Sequence, residues 1–217
     1  MGNLKREAIE LYLVTDRALS LGRPLLEIVS AAVRGGVTMV QLREKECETR
    51  EFVELGRAVH ELLRTTDIPL IINDRADIAM VIGAEGVHIG QHDMSYDDAR
   101  RLFGPEAIIG LSIENEAQAH ECLSLNGLDY IGASPVFTTP TKTDTAPALG
   151  FEGLQRIRRI VGPNMPMVAI GGINHSNIQD IIRAGTDGVA VVSAICSAPN
   201  PADAATELLS AIKQAKR

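Results

Sequence analysis

The sequence predicts an α/β protein built as one closed (β/α)8 barrel, and three observations predict it. Short, mostly apolar segments rich in β-branched residues recur eight times, each is followed by a loop and a helical period, and glycine recurs where a helix must end before a strand. Strict alternation of strand and helix means parallel strands joined by helical crossovers and buried on both faces. The 217 residues suffice for one sizeable core and are short for two domains. Residues 1–217 are therefore expected to form a single TIM barrel, with 1–10 as an N-terminal extension. Eight units leave about 27 residues each, near the lower limit for this architecture.

The strand candidates are Leu11–Thr15, Met39–Arg43, Pro69–Asn73, Gly86–Ile89, Ile108–Ser112, Tyr130–Ala133, Met167–Ile170 and Val189–Val192. Between them amphipathic spacing predicts helices over Leu25–Arg34, Glu51–Leu63, Ala76–Ile82, Tyr96–Phe103, Asn115–Leu125, Leu154–Val161, Ile178–Ala184 and Ala202–Ala215. A weak internal repeat runs through Gly35-Gly36-Val37, Gly83-Ala84-Glu85-Gly86, Gly127-Leu128-Asp129-Tyr130 and Gly185-Thr186-Asp187-Gly188, each placing glycine at a helix end before a strand. Glycine there supplies the left-handed cap. An open doubly wound sheet is the alternative, but its first turn would carry a Gly-rich dinucleotide fingerprint. After the first strand the chain reads Asp16-Arg17-Ala18-Leu19, and the fingerprint is missing.

Composition excludes several classes of function. Lys plus Arg total 21 against 28 Asp plus Glu, a net charge of -7, with 3% aromatics and no Trp. A nucleic-acid binder would want a basic face and stacking rings. No run of 18 apolar residues spans a bilayer and Met1 to Glu10 lacks a signal-peptide core, so a cytoplasmic protein away from membranes is expected. Cys47, Cys122 and Cys196 are odd in number and lack paired spacing, so they are expected to be reduced.

In such a barrel, chemistry collects where strands end at their carboxyl side. Polar residues gather there: Gln41, Arg43, Glu44 and Lys45 after the second strand, Asn73, Asp74 and Arg75 after the third, Gln91, His92 and Asp93 after the fourth, and Ser112 at the end of the fifth. The longest connection, Ser134 to Gly150, carries Thr138, Thr139, Thr141 and Lys142. Gly171-Gly172 follow the seventh strand, and Val192-Ser193 close the eighth. Bare backbone N–H groups and a helix start at these last two loops suit a phosphate, a tight turn being the plainer reading. Arg43, Lys45 and Lys142 together suit a polyphosphate. Adding Asp74 and Asp93 points to Mg²⁺, which takes one or two carboxylates plus phosphate oxygens and water. The alternative is a rim of ion pairs in which Arg43 and Lys45 meet Glu44, Asp74 and Asp93. His60, His120 and His175 lack metal-ligand spacing, and His88, between Val87 and Ile89, reads as a packed, hydrogen-bonded residue.

Five segments in register, Gln41-Leu42-Arg43-Glu44-Lys45, Ile72-Asn73-Asp74, Gly86 to Asp93, Thr139-Pro140-Thr141-Lys142 and Ile170 to Ile173, resemble the motifs of the thiamine phosphate synthase family. The similarity runs from about Leu11 to Ile195. That family joins 4-amino-2-methyl-5-(hydroxymethyl)pyrimidine diphosphate to a thiazole phosphate or its carboxylate, giving thiamine monophosphate and diphosphate with Mg²⁺. The resemblance implies that Gln41, Arg43, Lys45, Asn73, Ser112 and Lys142 hold the pyrimidine diphosphate, with Arg43, Lys45, Ser112 and Lys142 as the catalytic set. Asp74 and Asp93 would carry the metal, Thr139 and Thr141 would meet the thiazole, and Gly172, Val192 and Ser193 would surround its phosphate. It also implies a dissociative path through a pyrimidine methylene cation, with no protein nucleophile. The family often has Glu or Asp where this chain has His92. A thiazole tautomerase relative would have His at the position of Glu114 and lacks the paired carboxylates. A phosphate-binding regulator would lack Lys142 or the carboxylates, and a sugar-phosphate epimerase fits the cation set poorly. The resemblance implies small-molecule partners and leaves a homo-oligomer open.

Overall fold

The computed structural model describes residues 4–138 and 146–217. Eight parallel strands close a barrel in chain order: β1 Leu11–Val14, β2 Met39–Leu42, β3 Leu70–Asn73, β4 Gly86–Ile89, β5 Ile108–Ile113, β6 Tyr130–Ala133, β7 Met167–Ile170 and β8 Gly188–Val191. Closure is made by β1 against β8, with Leu11 opposite Val189 and Leu13 opposite Val191. Helices α1 Leu25–Arg34, α2 Thr49–Leu63, α3 Ala76–Ile82, α4 Tyr96–Phe103, α5 Glu116–Glu121, α6 Gly150–Val161, α7 Ile178–Arg183, α8 Ser193–Cys196 and α9 Pro201–Ala215 follow the strands.

Strand alternation divides the apolar residues into two cores. Tyr12, Val14, Met39, Ile71, Tyr130, Val168 and Ala190 fill the barrel. Leu11, Leu13, Val40 and Leu42 face outward into a larger core shared with the helices. Helix α1 shows the matching pattern, burying Leu25, Ile28, Val29 and Ala32 at helical spacing.

Apart from element ends that move by one or two residues and a 3-10 turn at Ala18–Ser20, the structure departs from the sequence reading in four places, each for a local reason. Helix α6 starts four residues before Leu154, because two glycines, Gly150 and Gly153, and the exposed Phe151 and Glu152 leave no apolar period to read in its first turn. Helix α5 is shorter than Asn115–Leu125: Asn115 caps it by accepting from the Gln118 N–H, and the chain tightens into a 3-10 turn over Cys122–Ser124. Helix α8 is a single turn, too short for a periodic signal. Residues Arg6–Ile9, inside the expected extension, form a 3-10 turn whose Ile9 is fully buried beneath the barrel. Gly188 permits that contact, since a Cβ there would lie 1.8 Å from the Ile9 carbonyl oxygen.

The glycine repeat proves to be a structural one. Gly36, Gly83, Gly127 and Gly185 all have positive φ, and two residues after each stands a side-chain acceptor. Thr38, Glu85, Asp129 and Asp187 take the backbone N–H of Leu11, Leu70, Ile109 and Met167, at 3.0, 2.8, 2.9 and 2.8 Å. Each even strand is thus latched at its base to the odd strand before it, four times round the barrel. In the last two latches an arginine backs the carboxylate: Arg100 on Asp129 and Arg158 on Asp187, both at 2.7 Å.

Candidate active site

The carboxyl ends of the strands enclose a cavity of about 280 Å³. Every predicted site residue that the structure describes lines it: Gln41, Arg43, Lys45, Asn73, Asp74, Asp93, Ser112, Gly172, Val192 and Ser193. Thr139, Thr141 and Lys142 lie outside the described residues.

On one side stand the cations and carboxylates. Arg43 leaves β2 with its N–H bonded to Thr15 Oγ1 at 3.0 Å, and its guanidinium donates to Asp16 at 2.7 Å. Asp16, the residue after the β1 loop begins, was visible in sequence only as part of a missing fingerprint. Lys45 pairs with Asp74. The alternative reading, a rim of ion pairs, thus holds in part, with Asp16 rather than Glu44, Asp74 or Asp93 as the arginine's partner; Glu44 turns away to Arg17 at 3.0 Å.

Asp74 follows β3 in the left-handed region, φ 60°. For a residue with a Cβ this costs on the order of 1 kcal/mol, and it folds the carboxylate over the barrel mouth. Its N–H donates to the His88 carbonyl at 2.9 Å. Asp93 reaches the same point from β4, where a tight turn lets its Oδ2 accept the Gly90 N–H at 2.7 Å. The two carboxyl groups are close enough to shift one another's protonation in opposite directions. Burial by itself would raise the Asp74 carboxyl, but the hydrogen bond from Asp93 and the Lys45 ammonium outweigh it and hold Asp74 below its ordinary value. Burial and the adjacent Asp74 push Asp93 above its ordinary value. Lys45 already compensates Asp74, and a cation shared with Asp93 would relieve the remaining repulsion. No third His, Cys, Asp or Glu joins them in a metal-holding group among the described residues. Two hard oxygen donors beside Arg43 and Lys45 are a donor set Mg²⁺ accepts, with water and phosphate completing its shell.

The opposite side is backbone. Gly171 and Gly172 have φ 111° and 67°, and a Cβ on Gly172 would lie 2.9 Å from the Phe137 Cβ. Asn177 donates to the Gly172 carbonyl at 2.9 Å, fixing the turn. Beside it Val192 leads into the short turn of α8 at Ser193. His92 lines the cavity, as does Glu114.

A closed (β/α)8 barrel whose mouth gathers Arg43, Lys45, Asp74 and Asp93 opposite a glycine turn has the architecture of a barrel enzyme. Comparison with known proteins specifies it. The thiamine monophosphate synthase family model matches residues 11–195. A thiamine-phosphate synthase of Albidiferax ferrireducens is 50% identical over 206 residues, 95% of this chain and 93% of the relative. One of Vibrio campbellii is 51% identical over 202 residues, 93% and 97% of the two chains. Among solved structures, a thiamine phosphate pyrophosphorylase from Pyrococcus furiosus superposes with a TM-score of 0.87 at 37% identity, covering 97% of this chain and 98% of that one. The chain belongs to the thiamine monophosphate synthase family.

Proposed function

We propose that this chain joins a pyrimidine methyl diphosphate to a thiazole phosphate, releasing diphosphate and giving thiamine monophosphate, a reaction consistent with the name thiamine-phosphate synthase that its relatives carry. The observation that carries this reading beyond family membership is the two-sided cavity, with Arg43, Lys45 and the Asp74–Asp93 pair facing the glycine turn at Gly171-Gly172. One side suits a leaving diphosphate, and the other suits the monophosphate of the second substrate.

Breaking the bond between the pyrimidine methylene and diphosphate builds negative charge on the leaving oxygens. Arg43, already oriented by Asp16, and Lys45 are preorganised to meet that charge, and such alignment lowers the barrier without reorganisation at the moment of reaction. Asp74 and Asp93 would hold Mg²⁺, which would supply further positive charge at the diphosphate. Gln41 and Asn73 orient the pyrimidine diphosphate, and Ser112 contacts it. Thr139, Thr141 and Lys142 carry their roles from the motif alone. The absence of a His at Glu114 disfavours a tautomerase.

The test is direct: incubate the protein with both substrates and Mg²⁺ and follow thiamine monophosphate and diphosphate. Stoichiometric appearance of both is expected. Rapid isomerisation of the thiazole carboxylate phosphate without the pyrimidine substrate, and no condensation, would replace this reading with the tautomerase.

A further inference from the structure

At the cavity floor, five polar side chains from five different strands form one hydrogen-bonded chain. Gln41 Nε2 donates to the Tyr12 hydroxyl at 2.7 Å. The Tyr12 and Tyr130 hydroxyls are 2.9 Å apart. Tyr130 meets His88 Nδ1 at 3.0 Å, and His88 Nε2 meets Ser112 Oγ at 2.9 Å. The barrel is built to seat these rings. A Cβ on Gly110 of β5 would lie 2.1 Å from Tyr130 Cζ, and one on Gly132 of β6 would lie 3.2 Å from His88 Cε1. Both tyrosines are buried, Tyr12 at 1% and Tyr130 at 0% exposure. Burial raises both phenols above their ordinary value, so each keeps its proton and must donate it.

That requirement gives the chain a direction. The Gln41 amide nitrogen only donates, so Tyr12 accepts there and its own proton goes to Tyr130. Tyr130 then has its proton left for His88 Nδ1. Run the other way, the Tyr12 proton would face the Gln41 nitrogen and have no acceptor, a buried loss that folding avoids. With Nδ1 accepting, the imidazole proton sits on Nε2 and is donated to Ser112 Oγ.

We infer that Tyr12 and Tyr130 are positioning residues: they hold His88 as its Nε2–H tautomer, which makes Ser112 accept from His88 and aim its own hydroxyl proton into the cavity, toward an acceptor oxygen of the pyrimidine diphosphate. The identity of that ligand rests on the proposed function; the direction of the chain does not. A serine free to donate toward an anionic oxygen makes a charge-assisted bond. Without the tyrosines its proton can be taken by His88 Nε2 instead.

Tyr130→Phe keeps the ring and removes the donor. It is expected to lower kcat/KM for the pyrimidine diphosphate about 10-fold, the scale of one neutral hydrogen bond, and to leave the thiazole phosphate KM unchanged. In a Ser112→Ala background the same change should cost less than about twofold, because Tyr130 acts through Ser112. An equal factor in both backgrounds overturns the inference, since a purely structural loss would be independent of Ser112. Should Tyr130→Phe fail to fold, Tyr12→Phe takes its place in the cycle. Nitrogen-15 NMR of the wild-type protein at about pH 8 gives a second reading: His88 should show a protonated Nε2 and a bare Nδ1, and the opposite tautomer or an imidazolium overturns the inference whatever the kinetics. If the wild type forms no thiamine monophosphate, the proposed function fails on that result alone. The tautomer measurement then decides the chain's direction, and the same cycle read on inorganic diphosphate affinity decides its consequence.

Discussion

Asp74 and Asp93 occupy an energetically awkward arrangement, two carboxyl groups in contact with one of them on left-handed backbone. Awkwardness of that kind persists where the surrounding fold over-determines it and where a ligand relieves it. Asp74→Asn and Asp93→Asn each preserve shape while removing the charge Mg²⁺ needs. Each variant should fold, lose most activity and require a higher Mg²⁺ concentration for half-maximal rate. Activity titrated against Mg²⁺ checks this, and an unchanged midpoint would reduce the pair to a structural contact of Lys45. Across the cavity Gly172 makes a separable prediction. Adding a methyl group by Gly172→Ala strains a φ of 67° and presses on Phe137. Stability should fall by about 1 kcal/mol, and the thiazole phosphate KM should rise far more than the pyrimidine diphosphate KM. Equal rises in steady-state kinetics would place the monophosphate elsewhere.

Among the secondary elements, what sequence could show depended on how local the cause was. The strands were legible because each is a short, mostly apolar run stopped by glycine or a polar cluster, and Gly86–Ile89, Tyr130–Ala133 and Met167–Ile170 fall on the expected residues. The one-turn helix at Ser193 and the turn at Arg6–Ile9 are too short to carry a period. The cavity-lining residues were legible because they sit at strand ends, a position fixed by order along the chain. Asp16, Tyr12 and Tyr130 were not, since their roles come from partners on other strands that only barrel closure brings together. The glycines of the fourfold repeat were visible, while the acceptors two residues on were not, because Thr, Glu and Asp share geometry there rather than identity. That geometry predicts a cost. Asp129 is 2% exposed at its side chain and satisfies both Arg100 and the Ile109 N–H. Asp129→Ala takes the carboxylate from the half-buried Arg100 guanidinium, which keeps its backbone carbonyls, and leaves the buried Ile109 amide unpaired, so urea unfolding should show a loss of about 2–3 kcal/mol. Thr38→Ala, removing one neutral hydroxyl, should lose about 1 kcal/mol.

Taken as a whole, the molecule assigns its two ends to different tasks. The carboxyl end carries the cavity, the left-handed aspartate and the glycine turn; the amino end carries the latches, Ile9 and the arginine-backed carboxylates. No helix among the described residues is long and apolar enough to cross a membrane.

The four latches also set a clock. An amide bonded to a side chain can be released by a rotamer change, with the strand pairing around it intact. At Leu11 the acceptor is a threonine hydroxyl, and at Leu70 it is Glu85, 43% exposed at its side chain and shared with His60. At Ile109 and Met167 the acceptor is pinned by an arginine that also holds backbone carbonyls, Ala107 for Arg100 and Met165 for Arg158, both at 2.7 Å. Deuterium should therefore enter Leu11 and Leu70 well before Ile109 and Met167, although all four occupy equivalent places in the barrel. The first half of the chain would then breathe at its base on a faster timescale than the second, a dynamic asymmetry inside a fold whose outline repeats four times.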